Sequence, residues 1–349
     1  MNKPEKKIDK RAQRDMSTVN IFFEQNQFLP LLYGDHDTHL ARIEQMLGVA
    51  LVSRGNMISI TGHKRDIEAT EKILQSLYEQ IEKGIEITES HVDAAIRMMP
   101  PIIDKKVKAK AEKDTPIDTD VYVKTLKKTI TPYSHIQANY MRALYENDLV
   151  FALGPAGTGK TYIAVALAVY MFINKKVDRI ILSRPAVEAG EKIGFLPGDI
   201  KDKIDPYMRP LYDALFDMMP AERVNQAIES GEIELAPLAF MRGRTFSNAF
   251  VILDEAQNTT RTQMKMFLTR MGERSRMIIT GDLSQIDLPK DVKSGLADCV
   301  PKIEHIPGID IIRFSDVDVV RHPLAKRIVQ AYDEWEERKK KFAESEDQL

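Results

Sequence analysis

Hydrophobic and polar positions near the amino terminus follow two different periods in turn. Apolar residues alternate with polar ones at 19–23, as in a strand, and recur at helical spacing at 40–47. Two short apolar runs then flank the turn signal Gly55-Asn56, which predicts a hairpin, and an amphipathic stretch at 67–81 predicts a second helix. The pattern therefore predicts a small α+β domain of order β-α-β-β-α, with its helices on one face of a sheet.

The pattern changes from about residue 133, where strands and helices begin to alternate. Several of the predicted strands are continuous apolar runs, which is typical of a parallel sheet that is buried on both faces. We therefore expect one α/β domain built on a parallel sheet. Its predicted strands are 150–153, 179–183, 232–236, 250–253, 277–280 and 311–314.

These patterns divide the chain into five predicted segments. The segments are a basic extension at 1–16, which is expected to be disordered, the α+β domain at 17–83, a connector at 84–132, the α/β domain at 133–335 and a charged tail at 336–349. Within the connector, a helix is predicted at 85–99 and a hairpin from 121 onward.

Composition narrows the class of protein. A hydrophobic content of 43% and a net charge of −2 fit a globular protein whose basic surfaces are local. The single cysteine, Cys299, excludes an internal disulfide and a cysteine-based zinc site, and suits a reducing compartment. The longest apolar run, 162–173, is shorter than the roughly 20 residues that a membrane span needs. We expect a cytoplasmic protein without a membrane partner.

A phosphate-binding loop pattern, G-x-x-x-x-G-K-T, lies between the predicted strand 150–153 and the apolar helix at 162–173. That context presents backbone N–H groups and a helix N-terminus to an anion. Lys160 is expected to reach the β- and γ-phosphates of a nucleotide, and the Thr161 hydroxyl to hold Mg²⁺. The predicted nucleotide-binding residues are Gly154, Pro155, Ala156, Gly157, Thr158, Gly159, Lys160 and Thr161.

Two acids follow the buried strand predicted at 250–253. Because ligands bind at the carboxyl ends of strands in open α/β sheets, Asp254 and Glu255 are expected at the site. Asp254 would hold Mg²⁺ through its hydration shell, and Glu255 would orient and deprotonate the attacking water. A helix cap after a strand is the alternative for this pair.

Gln285 follows the strand predicted at 277–280 and would sense the γ-phosphate or the attacking water. The pattern Asp-Glu-Ala-Gln at 254–257, followed by Gly-Asp-x-x-Gln at 281–285, resembles superfamily 1 helicases. Those enzymes read adenine with a glutamine upstream of the phosphate loop, and Gln137 fits that place. The resemblance favours ATP over GTP, and the sequence has no Asn-Lys-x-Asp guanine signature.

Further stretches carry a closer resemblance. They lie at 183–192, 194–199, 205–215, 241–245 and 319–323. Together they resemble the PhoH family of bacterial ATPases, in the YbeZ-type branch with an N-terminal KH-like module. The likeness extends from about Val19 to Trp335. It implies a cytoplasmic RecA-like P-loop ATPase that uses Mg²⁺ and acts in RNA metabolism, with a YbeY-type endoribonuclease of ribosomal RNA maturation as a partner.

The β-α-β-β-α order itself resembles a KH-type RNA-binding module. A KH domain clamps RNA backbone with a GXXG loop, and the corresponding stretch here reads Gly34-Asp35-His36-Asp37. It lacks the second glycine and carries two acids. RNA clamping by this loop and a role in packing or assembly therefore remain open alternatives.

The chain after Gln285 is too short for the second RecA-like domain of a helicase, which supplies arginines to the active site. We therefore expect a homo-oligomeric ring, such as a hexamer, in which a neighbouring subunit completes the site. Arg321 is the first candidate for this arginine, and Arg242 and Arg244 are the others. The alternative for each is a surface salt bridge.

Arg184 follows the predicted strand 179–183. In helicase-like ATPases that position faces nucleic-acid backbone, which makes Arg184, together with Arg242 and Arg244, a candidate for RNA contact. Pairing of Arg184 with Glu188 or Asp254 is the alternative.

Three functions are compatible with these residues. The first is an ATPase that acts on single-stranded RNA as a helicase or remodeller. The second is a nucleotide-gated scaffold for a ribonuclease. The third is a P-loop kinase, which has less use for a glutamate placed to activate water.

Overall fold

The amino-terminal domain begins with a strand that pairs with a later hairpin. We describe the protein from a computed structural model, which covers residues 16–99, 121–185, 200–289, 291–320, 328 and 335. Nearly all of the predicted extension 1–16 and the whole predicted tail 336–349 lie outside these residues. The chain divides into two compact units, one formed from 1–124 and 128–142 and the other from 125–127 and 143–349.

The first unit contains a three-stranded antiparallel sheet of order β1-β3-β2. The predicted order is confirmed, with a short additional helix before the first predicted one. The elements are β1 (Met16–Phe22), α1 (Leu29–Tyr33), α2 (Thr38–Leu47), β2 (Ala50–Arg54), β3 (Met57–His63), α3 (Lys64–Glu82), α4 (Glu89–Arg97), β4 (Val123–Lys124) and β5 (Thr129–Ile130). The last two form a small antiparallel ladder.

The core of this unit lies between the sheet and α3. Ile58 and Ile60 of the central strand β3 are fully buried, and so are Ile73, Leu74 and Leu77 on one stripe of α3. Period-2 spacing on the strand and 3.6-residue spacing on the helix place these side chains face to face. α4 begins at Glu89, later than predicted, because Thr88 caps it.

The Gly34–Asp37 stretch connects α1 to α2. A Cβ atom at Gly34 would lie 2.7 Å from the ring of the buried His39, so this position accepts only glycine. His36 and Asp37 both have positive φ angles, 53° and 61°. Asp37 therefore adopts the left-handed conformation that glycine favours, which aspartate tolerates better than most residues.

The second unit contains a six-stranded parallel sheet of order β11-β6-β10-β9-β7-β8. All six predicted strands are confirmed to within two residues at each end. The strands are β6 (Leu149–Leu153), β7 (Arg179–Arg184), β8 (Ile233–Pro237), β9 (Ala249–Leu253), β10 (Arg276–Gly281) and β11 (Ile309–Arg313). The helices are α5 (His135–Glu146), which begins in the first unit, α6 (Lys160–Ile173), α7 (Ile200–Met218), α8 (Ala221–Glu229), α9 (Arg261–Leu268) and α10 (Gly295–Ile303).

Helices cover both faces of this sheet, as the continuous apolar strands predict. Alternate strand residues such as Val251 and Leu253 pack with Phe267 of α9 and Leu296 of α10. α6 packs against β7, β9 and β10, and ten of its residues are buried. Among the described residues, no helix combines the length and the apolar composition needed to cross a bilayer.

Candidate active site

The loop after β6 has the geometry of a phosphate-binding turn. Gly154, Gly157 and Gly159 have φ angles of 142°, 83° and 82°, which L side chains rarely adopt. A Cβ atom at Gly154 would lie 2.5 Å from the carbonyl oxygen of Phe314. α6 begins directly after the loop, at Lys160. The predicted sequence of strand, glycine-rich turn and helix is confirmed, and it directs a helix N-terminus at the cleft.

Lys160 is held inside this loop. Its Nζ donates to the carbonyl oxygens of Gly154 (2.7 Å) and Pro155 (2.6 Å) and to Thr158 Oγ1 (3.3 Å). Burial lowers the pKa of the Lys160 ammonium, while the nearby carboxylates, chiefly Asp282, raise it. A cation poised among acids in this way is suited to bind the phosphates of a nucleotide.

Asp254 lies at the end of β9 and is 2% exposed. Its Oδ1 accepts hydrogen bonds from the hydroxyls of Thr161 (2.6 Å) and Thr280 (2.5 Å). The contact with Thr161 joins the two residues predicted to hold Mg²⁺. A carboxylate beside a hydroxyl is a hard oxygen donor set, and it fits a Mg²⁺ ion that takes its remaining ligands from water and phosphate. Thr280 was not predicted, and a hydroxyl at the end of a buried strand is its only signal in the sequence.

Glu255 has a φ angle of 54°, in the left-handed region that glutamate seldom adopts. Its side chain is 47% exposed, and Oε2 accepts a hydrogen bond of 2.7 Å from Gln257 Nε2. An acid held in an unfavourable backbone conformation beside a phosphate loop is typical of a functional site. Glu255 directly precedes a short 3-10 helix (Ala256–Asn258), but its carboxylate does not cap that helix; it contacts the Gln257 amide and, at 3.7 Å, Nη2 of Arg184.

Gln257 connects Glu255 to the loop after β10. It is 1% exposed, its Nε2 also donates to the Gln285 carbonyl oxygen (3.2 Å), and its Oε1 accepts from the Asp282 N–H (3.1 Å). Gln257 was not predicted as a site residue, although it lies in the Asp-Glu-Ala-Gln motif. A polar residue two positions after the acids was the available signal.

Asp282 and Gln285 differ in exposure. Asp282 is buried, and its Oδ1 accepts from the N–H and the hydroxyl of Ser284 (2.9 and 2.6 Å). Within the described residues, its buried Oδ2 has no hydrogen-bond partner. Gln285 is exposed and lines the cleft, which is consistent with the predicted contact to a γ-phosphate.

These residues surround one cleft of ≈ 550 Å³. One wall of the cleft comes from α7, which was not predicted to belong to the site. Tyr162 of α6 donates to Asp217 Oδ2 of α7 (2.5 Å), and both residues line the cleft. The other lining residues are Ala156, Gly157, Gly159, Lys160, Thr161, Arg184, Pro210, Asp213, Ala214, Asp254, Glu255, Gly281, Asp282 and Gln285.

The arginine candidates occupy different environments. Arg184 pairs with Asp254, which was one of its two alternatives; Glu188, the other, lies outside the described residues. Arg244 forms a bidentate ion pair with Glu234 (2.6 and 2.7 Å), and its guanidinium lies over the Phe246 ring. In this structure Arg244 therefore forms the salt bridge that was the alternative to a role in a neighbouring site.

Arg242 is exposed, whereas Arg321 lies outside the residues that the structure describes. Gln137 belongs to the first compact unit. It is buried, and its Oε1 accepts from the Tyr133 N–H (2.6 Å). Its adenine-reading role remains a prediction.

Comparison with known proteins gives the family. The family model described as "PhoH-like protein" matches residues 129–333. A PhoH-like protein of Bacillus subtilis is 50% identical over 303 residues, which are 86% of this chain and 93% of that protein. A PhoH-like protein of Mycobacterium tuberculosis is 46% identical over 306 residues, 88% of this chain and 85% of that protein.

Among solved structures, a Sulfolobus solfataricus SWI2/SNF2 ATPase core in complex with dsDNA aligns with a TM-score of 0.31 and 14% identity, covering 46% of this chain and 34% of that one. That likeness is too distant to carry an argument. The sequence relatives and the family model agree with each other, and the match covers the phosphate loop and both acids. This chain belongs to the PhoH-like protein family.

Proposed function

We propose that this chain is a Mg²⁺-dependent ATPase that acts in RNA metabolism. The observation that carries the ATPase proposal is the direct contact between Thr161 Oγ1 and Asp254 Oδ1, with Glu255 as the next residue. Phosphate loop, metal-binding acid and a second acid for the water are thereby brought to one edge of the sheet. These are the groups that nucleotide hydrolysis requires.

The residues of the cleft have separate roles in the proposed hydrolysis. The N–H groups of the phosphate loop and the N-terminus of α6 bind the phosphates, and Lys160 leaves the loop carbonyls to contact the β- and γ-phosphate oxygens. Thr161 and Asp254 would hold Mg²⁺, which would supply positive charge beside the transferred phosphoryl group. Gln285, at the rim of the cleft, contacts the γ-phosphate or the attacking water.

Glu255 is the proposed general base. Its Oε2 is fixed by Gln257, and its exposed side chain lies at the cleft, where a water in line with the γ-phosphate can give it a proton. A kinase would exclude water at this point, so a partly exposed, oriented glutamate favours hydrolysis over phosphoryl transfer to a second substrate. A phosphorylated product in place of free phosphate would support the kinase.

The RNA part of the proposal rests on the first compact unit. Helices α1 and α2 meet at the Gly34–Asp37 loop beside a three-stranded antiparallel sheet, and Asp37 is left-handed at the position where a KH loop has its second glycine. We propose single-stranded RNA as the ligand and a YbeY-type endoribonuclease as a protein partner in the cytoplasm. We further propose a ring, such as a hexamer, in which Arg321, Arg242 or Arg244 of one subunit serves the site of the next.

A nucleotide-gated scaffold is the second candidate. The contact of Arg184 with Asp254 favours the scaffold, because an acid whose charge is already neutralised by an arginine binds the metal less readily, and ATP hydrolysis is then slow. In that case nucleotide binding would change the affinity for a ribonuclease, and RNA would leave phosphate release unchanged.

Two variants test the site itself. Lys160→Ala is expected to abolish nucleotide binding, whereas Glu255→Gln is expected to bind ATP normally and to hydrolyse it about 10²–10⁴-fold more slowly. Lys265→Ala removes an exposed lysine from α9 and serves as the matched control. Binding by fluorescent nucleotide and phosphate release are measured on the same samples. Equal hydrolysis by Glu255→Gln and the unmodified protein would exclude Glu255 as the base.

A further inference from the structure

Arg184 contacts the acid that is proposed to hold the metal. Its Nε donates to Asp254 Oδ2 over 2.7 Å, and its Nη2 donates to the same oxygen. The Arg184 side chain is 16% exposed and that of Asp254 3%. The third guanidinium nitrogen, Nη1, donates to the carbonyl oxygen of Tyr207 in α7 (2.8 Å). One partly buried cation thus joins the metal-binding acid to α7, which forms one wall of the cleft.

The two oxygens of Asp254 are used differently. Oδ1 accepts from the hydroxyls of Thr161 and Thr280, contacts that remain compatible with a metal on Thr161. Oδ2 is therefore the oxygen left to accept from the water shell of Mg²⁺. In this structure, two N–H groups of Arg184 already occupy it. A carboxylate as deeply buried as this one needs a positive partner, and the guanidinium supplies it.

We propose that Arg184 is a resident counter-ion that the metal displaces from Asp254. The inference rests on the proposed function, since it assumes that Mg²⁺ arrives with a nucleotide. Guanidinium and hydrated metal use the same oxygen and carry charge of the same sign, so they exclude one another at Asp254. Arg184 and Mg²⁺ then compete, and each lowers the apparent affinity of Asp254 for the other by the same factor.

Displacement of Arg184 from Asp254 would also affect its contact with α7. When Arg184 leaves Asp254, its guanidinium group can no longer donate to both Asp254 Oδ2 and the Tyr207 carbonyl oxygen in the present geometry. α7 contributes Asp213 and Asp217 to the cleft. Arrival of the metal is therefore coupled to the position of the α7 wall, and Arg184 is the positioning residue that couples them.

The test measures metal affinity directly and needs no turnover. The full chain is saturated with ADP, and Mn²⁺, as a substitute for Mg²⁺, is titrated by electron paramagnetic resonance. Arg184→Met removes the competing charge, and Mn²⁺ is expected to bind about tenfold more tightly if Arg184 holds Asp254 nine-tenths of the time. Arg184→Lys keeps the positive charge but loses the several N–H donors of the guanidinium group, so the affinity for Mn²⁺ is expected to rise by an intermediate factor of about three.

Arg276→Met is the matched control. Arg276 is also a half-buried strand arginine, but it begins β10 and donates to the carbonyl oxygens of Leu144 and Asn147, so the affinity for Mn²⁺ should not change. Unchanged or weaker Mn²⁺ binding by Arg184→Met would overturn the inference. If that variant does not fold, unchanged or weaker binding by Arg184→Lys would do the same.

A second titration separates this inference from the proposed function. Fluorescent ADP is titrated into the unmodified protein with and without the metal. Absence of nucleotide binding in both conditions would overturn the proposed function. Normal nucleotide binding together with an Mn²⁺ affinity that does not respond to Arg184 would overturn only the competition.

Discussion

Gln257 Nε2 lies 2.7 Å from Glu255 Oε2 and holds the carboxylate of the proposed general base in place. The same amide accepts the Asp282 N–H, so the loop after β9 and the loop after β10 are joined through one buried side chain. The second loop carries Gln285, whose carbonyl oxygen accepts from the same Nε2 (3.2 Å), so Gln257 contacts both the proposed base and the loop that is proposed to contact the γ-phosphate. The amide therefore positions the base without touching the phosphates itself.

Replacement of Gln257 by alanine should separate catalysis from binding. The variant loses the hydrogen bond that orients Glu255, so we expect kcat for ATP to fall about 10- to 100-fold. Nucleotide affinity should change less than about threefold, because Gln257 does not line the cleft. Gln226→Ala, at a surface position on α8, is the control. A loss of nucleotide affinity that matches the loss in kcat would argue against a positioning role.

Gly154→Ala should destabilise the protein more than the same substitution at another glycine with a positive φ angle. The new Cβ atom would meet the Phe314 carbonyl oxygen at 2.5 Å, in addition to the cost of a φ angle of 142°. Gly231→Ala is matched for a positive φ angle, 74°, but its Cβ atom meets nothing within 4 Å. We expect the free energy of unfolding to fall by about 1 kcal/mol for Gly231→Ala and by more than about 3 kcal/mol for Gly154→Ala.

Denaturant unfolding of both variants measures the difference. Nucleotide binding should be lost only in Gly154→Ala. Equal destabilisation by the two substitutions would mean that the backbone relaxes away from Phe314.

The amino-terminal unit should lose stability as the pH falls below about 6.5, through His91. Burial lowers the pKa of His91 below its ordinary value, so the unfolded chain binds the proton more readily than the folded one. The stabilising contribution is complete above pH 6.5 and is lost as the pH falls through the lowered pKa. The structure agrees, since Nδ1 of His91 accepts the Thr88 N–H (3.2 Å) and must be unprotonated to do so.

His91→Gln removes the titrating group and keeps an acceptor. The thermal midpoint of the unmodified protein should drop more between pH 7.5 and pH 5.5 than that of the variant. If the two midpoints shift in parallel, His91 contributes nothing to the pH dependence.

Cys299 should react slowly with alkylating reagents. Burial raises the pKa of its thiol to about 11 from an ordinary value of 9.0, which leaves about 100-fold less thiolate at pH 8. Because the chain has one cysteine, the rate of reaction with iodoacetamide reports on this site alone. Unfolding in guanidinium should restore the rate of an ordinary thiol, and rapid alkylation of the folded protein would contradict the burial.

Much of the fold could be predicted because its signals are local. Six predicted strands, several of them continuous apolar runs, form the parallel sheet, and the glycines of the phosphate loop lie where the backbone needs φ angles of 82–142°. The acids Asp254 and Glu255 were placed correctly at a strand end, since the polarity of parallel strands brings those ends together.

The rest depends on contacts between distant parts of the chain. Arg184 and Asp254 are 70 residues apart, and the sequence left Glu188 and Asp254 as alternative partners; the pairing with Asp254 became visible only because β7 lies beside β9. Gln257 could not be recognised as a bridge without the loop after β10. The α7 wall was missed for the same reason, because no local motif marks Asp213 and Asp217 as neighbours of the phosphate loop.

Phosphate release from ATP, measured with and without single-stranded RNA and beside Lys160→Ala, tests the central claim most directly. We expect Mg²⁺-dependent release that RNA stimulates and that Lys160→Ala abolishes. Release that ignores RNA would contradict the RNA coupling and favour the nucleotide-gated scaffold. No release above that of Lys160→Ala, in any of these conditions, would contradict the assignment of this cleft as an ATPase site.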